Sequence, residues 1–330
     1  MITIEINSWN SHLNHLLYAL FFYCKKNKVK FIIKENSVIS TVCLKVNFKG
    51  KIVFFDYSDD FKFEANPKEF EYYFKRSITL ENISERILPL NFQINFAYQP
   101  LSLLFKMPLS IRFIKKSKVE IIRALDFFGI TNMSHFSMLL HTFRLKKNSN
   151  GRIIFCTRLW NPNNAIDDAE KQRREKQNLF RIEACRIIKK NFNNSFVGVF
   201  DSDLARILCP DLIFKEKVLS KKRYLNELRK SDICVVDDGL KDFIGWKFGE
   251  YVLFGKAIIS TPTTVYIESF FKNKNYLELS NRLAYSELID SIQVLLNDNF
   301  YLEMGKNNSV WASNYLEPEA FISNILKAIK

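Results

Sequence analysis

The segment Ser231–Pro262, SDICVVDDGLKDFIGWKFGEYVLFGKAIISTP, holds the residue types and spacings best suited to chemistry. It reads as a strand, an acidic loop, a helix start, a glycine turn, a second strand and a threonine–proline loop. Gly245 and Gly249 let backbone approach a ligand closely where the helix begins. Amides at that terminus, with Lys247 beside them, form a site for an anionic phosphate. Glu250 follows in the first helical turn, where a carboxylate can accept hydrogen bonds from both hydroxyls of a ribose. Gly255 ends the helix with the residue suited to a left-handed cap. Each residue also has a purely structural reading: a glutamate favoured by the helix dipole, a surface lysine, a cap.

Other groups stand near this segment in type if not in sequence. Arg158, in Thr157-Arg158-Leu159-Trp160, follows a strand and could grip phosphate oxygens in pairs, or pair with Asp167–Asp168 instead. Asp237-Asp238-Gly239 leaves a strand at a sheet's carboxyl edge, where Asp238 lines a ligand pocket or forms a turn. In the first half, Asp56, Asp59 and Asp60 follow a strand. Asp59 and Asp60 are the candidates for a general base, with His12, His15, His135 and His141 as further options. Tyr72-Tyr73-Phe74-Lys75-Arg76-Ser77 suits contact with a sugar or a lipid phosphate, or a packing helix with a basic end. Asp201-Ser202-Asp203 has the form of a metal-binding pair.

The elements that must position these groups are clearest in the second half. A continuous apolar run at Arg152–Cys156 predicts a strand buried on both faces. A long charged helix follows over about Asp167–Asn191, then strands at Phe196–Phe200 and near Leu212–Phe214. Helix Ser220–Lys230, strand Ile233–Val236, helix Lys247–Phe254 and strand Ala257–Ser260 come next. A short strand near Tyr276–Leu279 and terminal helices complete a doubly wound α/β sheet with ligands at its strand carboxyl ends. The first half reads as strand Ile2–Ile6, helix Ser11–Lys26, and strands at Val29–Ile33, Val42–Val46 and Lys51–Phe55. A helix at Pro67–Lys75 and a helical stretch over 118–150 follow, and the alternation suggests a parallel sheet. A chain of 330 residues accommodates two such domains. The polar break Lys146–Gly151 divides them into 1–147 and 148–316, with a closing helix, 317–330, expected to pack back on the first domain.

Residues 1–150 carry 22 Lys and Arg against 12 Asp and Glu, a balance of +10, and residues 151–330 carry 27 against 23, a balance of +4. The excess collects at Lys25, Lys26, Lys28 and Lys30, at Arg112, Lys115, Lys116 and Lys118, and at Arg144, Lys146 and Lys147. Such clusters suit phospholipid headgroups, a pyrophosphate-linked lipid or nucleic acid, or form a solvated basic face. They are scattered, with no nucleic-acid motif, so no nucleic-acid partner is expected. Six cysteines show neither a CxxC pair nor a histidine at metal spacing, which predicts reduced, buried thiols and a cytoplasmic protein. The longest apolar run, Leu16–Cys24, is about half of a membrane span, so peripheral contact with the inner face of the cytoplasmic membrane is the expectation.

The run Trp246-Lys-Phe-Gly-Glu-Tyr-Val-Leu-Phe-Gly-Lys-Ala-Ile-Ile-Ser resembles the K-x-x-E-Y-x-x-x-G-K-P-V-I segment of GT-B glycosyltransferases, which have two Rossmann-like domains facing across a cleft. Tyr224…Ser231-Asp232-Ile233 is similar to the helix-to-strand junction of the same class, and Met304–Tyr315 with Pro318–Ile329 to its C-terminal end. The resemblance covers about residues 151–330. It implies a hexosyltransferase-type enzyme that takes a nucleotide diphosphate sugar as donor, with no tightly bound cofactor and no metal. The acceptor is a glycan or lipid-linked glycan, in bacterial surface polysaccharide assembly. It makes Glu250 the ribose ligand, Lys247 a diphosphate-side contact, and Val218, in the loop Lys215–Leu219, the contact to the base. A second glutamate of many retaining members is replaced by Asp242, eight positions before Glu250, and the proline after Gly-Lys by Ala257. Asn7-Ser8-Trp9-Asn10-Ser11 stands where a glycine-rich loop is usual. A non-catalytic scaffold of the same fold and a basic nucleic-acid-binding protein are the alternatives.

Overall fold

The structure, a computed structural model, describes residues 1–126, 138–139, 150–215, 221–239 and 244–329. The chain divides into two compact units: Met1–Phe143 with Val265–Glu268 and Ser313–Lys330, and Arg144–Thr264 with Ser269–Ala312. Both are α/β and Rossmann-like.

The first unit contains β1 (Ile2–Ile6), α1 (Asn14–Lys26), β2 (Phe31–Glu35), β3 (Cys43–Phe48), β4 (Lys51–Asp56), β5 (Tyr72–Lys75), β6 (Ile87–Pro89), β7 (Phe96–Ala97), α2 (Pro100–Leu104), α3 (Ile111–Leu125) and β8 (Met138–Leu139). Its main sheet has the order β2-β1-β3-β4-β5-β6, and β7 pairs with β8. The sheet is mixed rather than parallel as expected, because β3 is antiparallel to both neighbours. The cause is local. Lys49 and Gly50, at φ 57° and 107°, form a two-residue hairpin loop whose twist matches the strands, and the Gly50 amide donates to the Asn47 side chain at 2.7 Å.

A second departure is the segment expected as a helix over Pro67–Lys75. Only Pro67–Glu69 is helical, a 3₁₀ turn, and Tyr72–Lys75 is β5, parallel to β4. Ring pairing decides it. Phe54 faces Tyr73 and Phe55 stacks on Phe74, both at 5.1 Å, so the aromatic side chains are satisfied across two strands. The helix expected within 118–150 begins earlier, with the Ser110 hydroxyl accepting from the Phe113 amide, and ends at Leu125. Of the rest of that stretch, residues 127–137 and 140–149 lie outside the described residues.

The second unit contains β9 (Ile153–Thr157), α4 (Asp168–Asn191), β10 (Ser195–Val199), α5 (Asp203–Leu208), α6 (Lys221–Lys230), β11 (Ile233–Val236), α7 (Trp246–Leu253), β12 (Ala257–Ser260), β13 (Leu277–Glu278), α8 (Leu288–Leu296) and most of α9 (Phe300–Tyr315). Its sheet is parallel throughout, in the order β10-β9-β11-β12-β13. Every residue of β9, β11 and β12 is buried, as their unbroken apolar runs require. In place of a strand near Leu212–Phe214 there is a 3₁₀ turn, Pro210–Leu212, and one bridge from Ile213 to Val199. From β9 the chain winds outward to β10, then returns to β11 on the other side of β9. The carboxyl ends of β9 and β11 therefore flank a topological switch point, where such sheets bind ligands.

Helix α7 is stopped sharply. The Lys256 amide donates to the Tyr251 carbonyl and the Gly255 amide to Val252, both at 3.0 Å, with Gly255 at φ 60°. The last helix, α10 (Pro318–Ala328), belongs to the first unit and lies on α1. There the His15 ring stacks on Phe321 at 4.2 Å, and Lys26 pairs with Glu319 at 2.6 Å.

Candidate functional site

At the switch point, β9 ends in Thr157 and delivers Arg158 to the surface. The Phe200 amide, just past β10, donates to the Thr157 carbonyl at 2.8 Å, which fixes its ring beside Arg158. The Arg158 guanidinium lies 5.9 Å from that ring and 5.9 Å from the Trp160 ring. Among the described residues it has no carboxylate partner, so the alternative pairing with Asp167–Asp168 is not formed. Asp167 instead caps α4, accepting from the Glu170 amide at 2.7 Å.

Helix α7 brings a second cation to the same place. Its N-cap is Gly245, with no side-chain cap and no acidic residue in the first turn. A Cβ at Gly245 would meet nothing within 4 Å, so space is open at this terminus. Lys247 turns its ammonium inward, donates to the Cys156 carbonyl at the end of β9, and sits 5.8 Å from the Phe200 ring. Burial lowers its pKa, with Arg181 acting in the same direction. Two cations thus flank one aromatic ring at a helix N-terminus, an arrangement that favours an anion between them.

Glu250 lies in the second turn of α7 rather than the first, because the helix starts at Trp246. It is 2% exposed. Its Oε1 pairs with the Lys221 ammonium on α6, while its buried Oε2 has no hydrogen-bond partner among the described residues. A buried carboxylate oxygen without a donor costs about 1–3 kcal/mol, which a ligand hydroxyl could offset. Gly249 is buried within the helix beside it.

Across the switch point, Asp237 and Asp238 follow β11. Asp237 holds Arg181 at 2.7 Å and accepts from Gln177 at 2.9 Å. Asp238 accepts from the Thr261 hydroxyl at 2.9 Å and pairs with Arg282 at 3.0 Å, tying the loop to β12. Beside them lies a pocket of about 200 Å3 lined by Arg173, Gln177, Asp237, Asp238 and Arg282. Asp242 and Val218 lie outside the described residues.

No protein-family model and no curated protein sequence matches the chain. It is similar to solved glycosyltransferases. A glycosyltransferase from Rickettsia africae is 13% identical, with 98% of this chain and 82% of that one covered at a TM-score of 0.49. The C-terminal domain of LpcC, a glycosyl transferase group 1 family protein from Francisella tularensis, is 14% identical, with 53% and 96% covered at 0.41. A variant of S. aureus TarM, solved with fondaparinux, alpha-GlcNAc-glycerol and UDP, is 12% identical, with 78% and 51% covered at 0.38.

In the first unit the expected acidic residues separate into distinct roles. Asp56 is fully buried and accepts from the Ser58 hydroxyl, the Tyr73 hydroxyl and the Lys75 ammonium at 2.6, 2.7 and 3.0 Å. Asp59 is half-exposed and holds the buried Arg76 at 2.6 Å. Asp60 accepts from the Lys62 amide in a turn. Burial lowers the pKa of His12, against the pull of Asp59. Burial also holds His15 at about 4. His135 and His141 lie outside the described residues.

Asp201 and Asp203 both pair with Arg206, at 2.8 and 3.3 Å, and Ser202 between them caps α5. That accounts for the motif without a ligand. No helix among the described residues is long and apolar enough to cross a membrane. All six cysteines are buried and none is bonded to another.

Sequence reasoning missed Lys221, Phe200, Gln177 and Arg181. The last two carried a signal: they share a face of α4 with buried Phe180, Ala184 and Cys185, where polar residues are out of place unless they serve something.

Proposed function

We propose that the chain is a glycosyltransferase of hexosyltransferase type that moves a sugar from a nucleotide diphosphate sugar to a glycan or lipid-linked glycan in surface polysaccharide assembly. The observation that carries this reading is the buried Oε2 of Glu250, unpartnered among the described residues, on the helix whose start sets Lys247 beside Arg158. A ribose hydroxyl donating to Oε2 satisfies it. The diphosphate then falls toward the α7 N-terminus, Lys247 and Arg158, which stabilise the charge that develops on the leaving group as the acceptor hydroxyl attacks the anomeric carbon. Gly245 leaves the backbone approach open, and Gly249 keeps the helix thin next to Glu250. Asp238 shapes the sugar side, Val218 is assigned to the base, and Asp242 to the transferred sugar. Asp59, with Asp60 next to it, is the acceptor-side carboxylate of the reading. Diphosphate charge is carried by cations and a helix terminus, so the reaction is expected to persist in chelator. The acceptor's lipid anchor brings the protein into peripheral contact with an anionic cytoplasmic membrane face.

Thermal-shift measurements against UDP-, GDP- and CMP-linked sugars test the reading. Stabilisation by one of them in the parent chain, lost in Glu250→Ala, is expected. A chain that responds to none of the three refutes it.

A further inference from the structure

Helix α3 is amphipathic in the reverse sense. Its inward face is Phe113, Ser117, Glu120 and Ala124. The two polar members are used inside: Ser117 accepts from the Trp9 amide at 2.8 Å, and Glu120 from Asn14 at 3.0 Å. Its outward face carries Ile111, Ile114 and Leu125, with Lys115 and Lys118 in the same stripe at helical spacing. Phe105 and Leu109, just before it, are each 85% exposed, and Ile111 is 74% exposed.

This face continues onto the edge of the sheet. Arg112 pairs with Glu35 at 3.1 Å, which fastens the start of α3 to the end of β2, the outermost strand. Beside β2 runs a groove of about 640 Å3, lined by Phe21, Phe31 and Phe105 and by Lys25, Lys30 and Lys106. The charge around it is predominantly positive, since Glu35 and Glu319 are taken up by Arg112 and Lys26. Between Glu5 and Glu35, and again between Glu85 and Glu120, the sequence has no carboxylate. Large exposed apolar side chains interleaved with lysines that pair with no carboxylate among the described residues match an interface that is anionic on the outside and hydrocarbon beneath.

We propose that this face of the first unit docks on an anionic phospholipid surface. Phe105, Leu109 and Ile111 enter the acyl boundary, while Lys30, Lys106, Lys115 and Lys118 meet the headgroup phosphates. The inference gives the membrane contact of the proposed function its surface and rests on that reading, while donor binding is measured separately.

Vesicle co-sedimentation decides it, with phosphatidylcholine alone compared with phosphatidylcholine containing about a third phosphatidylglycerol. The parent chain is expected to sediment with the anionic vesicles only, and less as salt rises. Phe105→Ser with Leu109→Ser, and Lys30→Gln with Lys106→Gln, should each weaken partition roughly ten-fold with unchanged melting temperature. The docking surface is overturned if the parent stays in the supernatant, if either double variant binds like the parent, or if the face proves to join two copies in a dimer that the apolar variant splits. Vesicle binding without any nucleotide response refutes the donor reading alone. A nucleotide response without vesicle binding refutes the docking surface alone.

Discussion

Glu250, Lys247 and Arg158 differ in how they meet water, and that difference sets what each substitution should do. Glu250→Gln keeps the volume but removes the charge that, in the proposed function, accepts a ribose hydroxyl at Oε2. Nucleotide affinity should fall by about ten- to a hundred-fold, equivalent to roughly 1.5–3 kcal/mol. Arg158 is exposed and makes no ion pair among the described residues. Arg158→Gln should therefore leave the melting temperature within about a degree, while weakening a nucleoside diphosphate and sparing the nucleoside. Calorimetric titration with both ligands checks it, and equal losses for the two would place Arg158 away from the phosphates. Of these residues, spacing alone singled out Glu250 and Lys247. The environment of Glu250 could not be read that way, because Lys221 reaches it from another helix, 29 residues earlier in sequence. Phe200, the ring shared by both cations, likewise becomes visible only when the switch point closes.

At the level of elements, the strongest constraint is the crossing of the α7 end with α9. A Cβ on Gly255 would stand 2.0 Å from the Ser309 hydroxyl oxygen, and one on Gly305 would stand 2.5 Å from the Gly255 carbonyl oxygen. Gly255→Ala adds a left-handed strain of about 1–2 kcal/mol to an overpacking cost of about 1–3 kcal/mol. Gly305→Ala meets the overpacking alone. Urea unfolding should show both destabilised, Gly255→Ala more, and a neutral Gly305→Ala would mean that α9 can slide. In the first unit, Lys75→Met leaves the buried Asp56 charge without its cation and should cost about 3–5 kcal/mol by the same measurement. The Gly255 cap was legible because a helix must stop where glycine follows its last turn. β5 was not, because Pro67 and the charges after it imitate a helix start. Only the register Phe54↔Tyr73 and Phe55↔Phe74 shows what the rings pair with. The hairpin at Lys49-Gly50 carried its own signal, a glycine between two apolar runs, yet the surrounding strand–helix rhythm pointed to a parallel sheet.

Across the whole molecule, acid should act through His15, buried between α1 and α10. In the unfolded chain its ring takes up a proton near 6.5, and in the folded one only near 4. Between those values the unfolded state binds more protons, so this contribution to stability is lost as pH falls from about 6.5 to about 4, and no further below. The difference amounts to about 3 kcal/mol. Melting curves from pH 7 to pH 4 should show the decline, flattened in His15→Asn, and a parent chain indifferent to this range would contradict the burial.

The ring that covers His15 belongs to Phe321, 306 residues further along the chain. At about 5–20 residues per second, a ribosome delivers it roughly 15–60 s after His15. Late in that interval the nascent first unit has its strands but lacks one wall of its interior, while the sheet of the second unit is already complete in sequence. Folding of the first unit is therefore finished by a segment made after the second unit, and the exposed aromatic face of α1 is what a chaperone would meet in between.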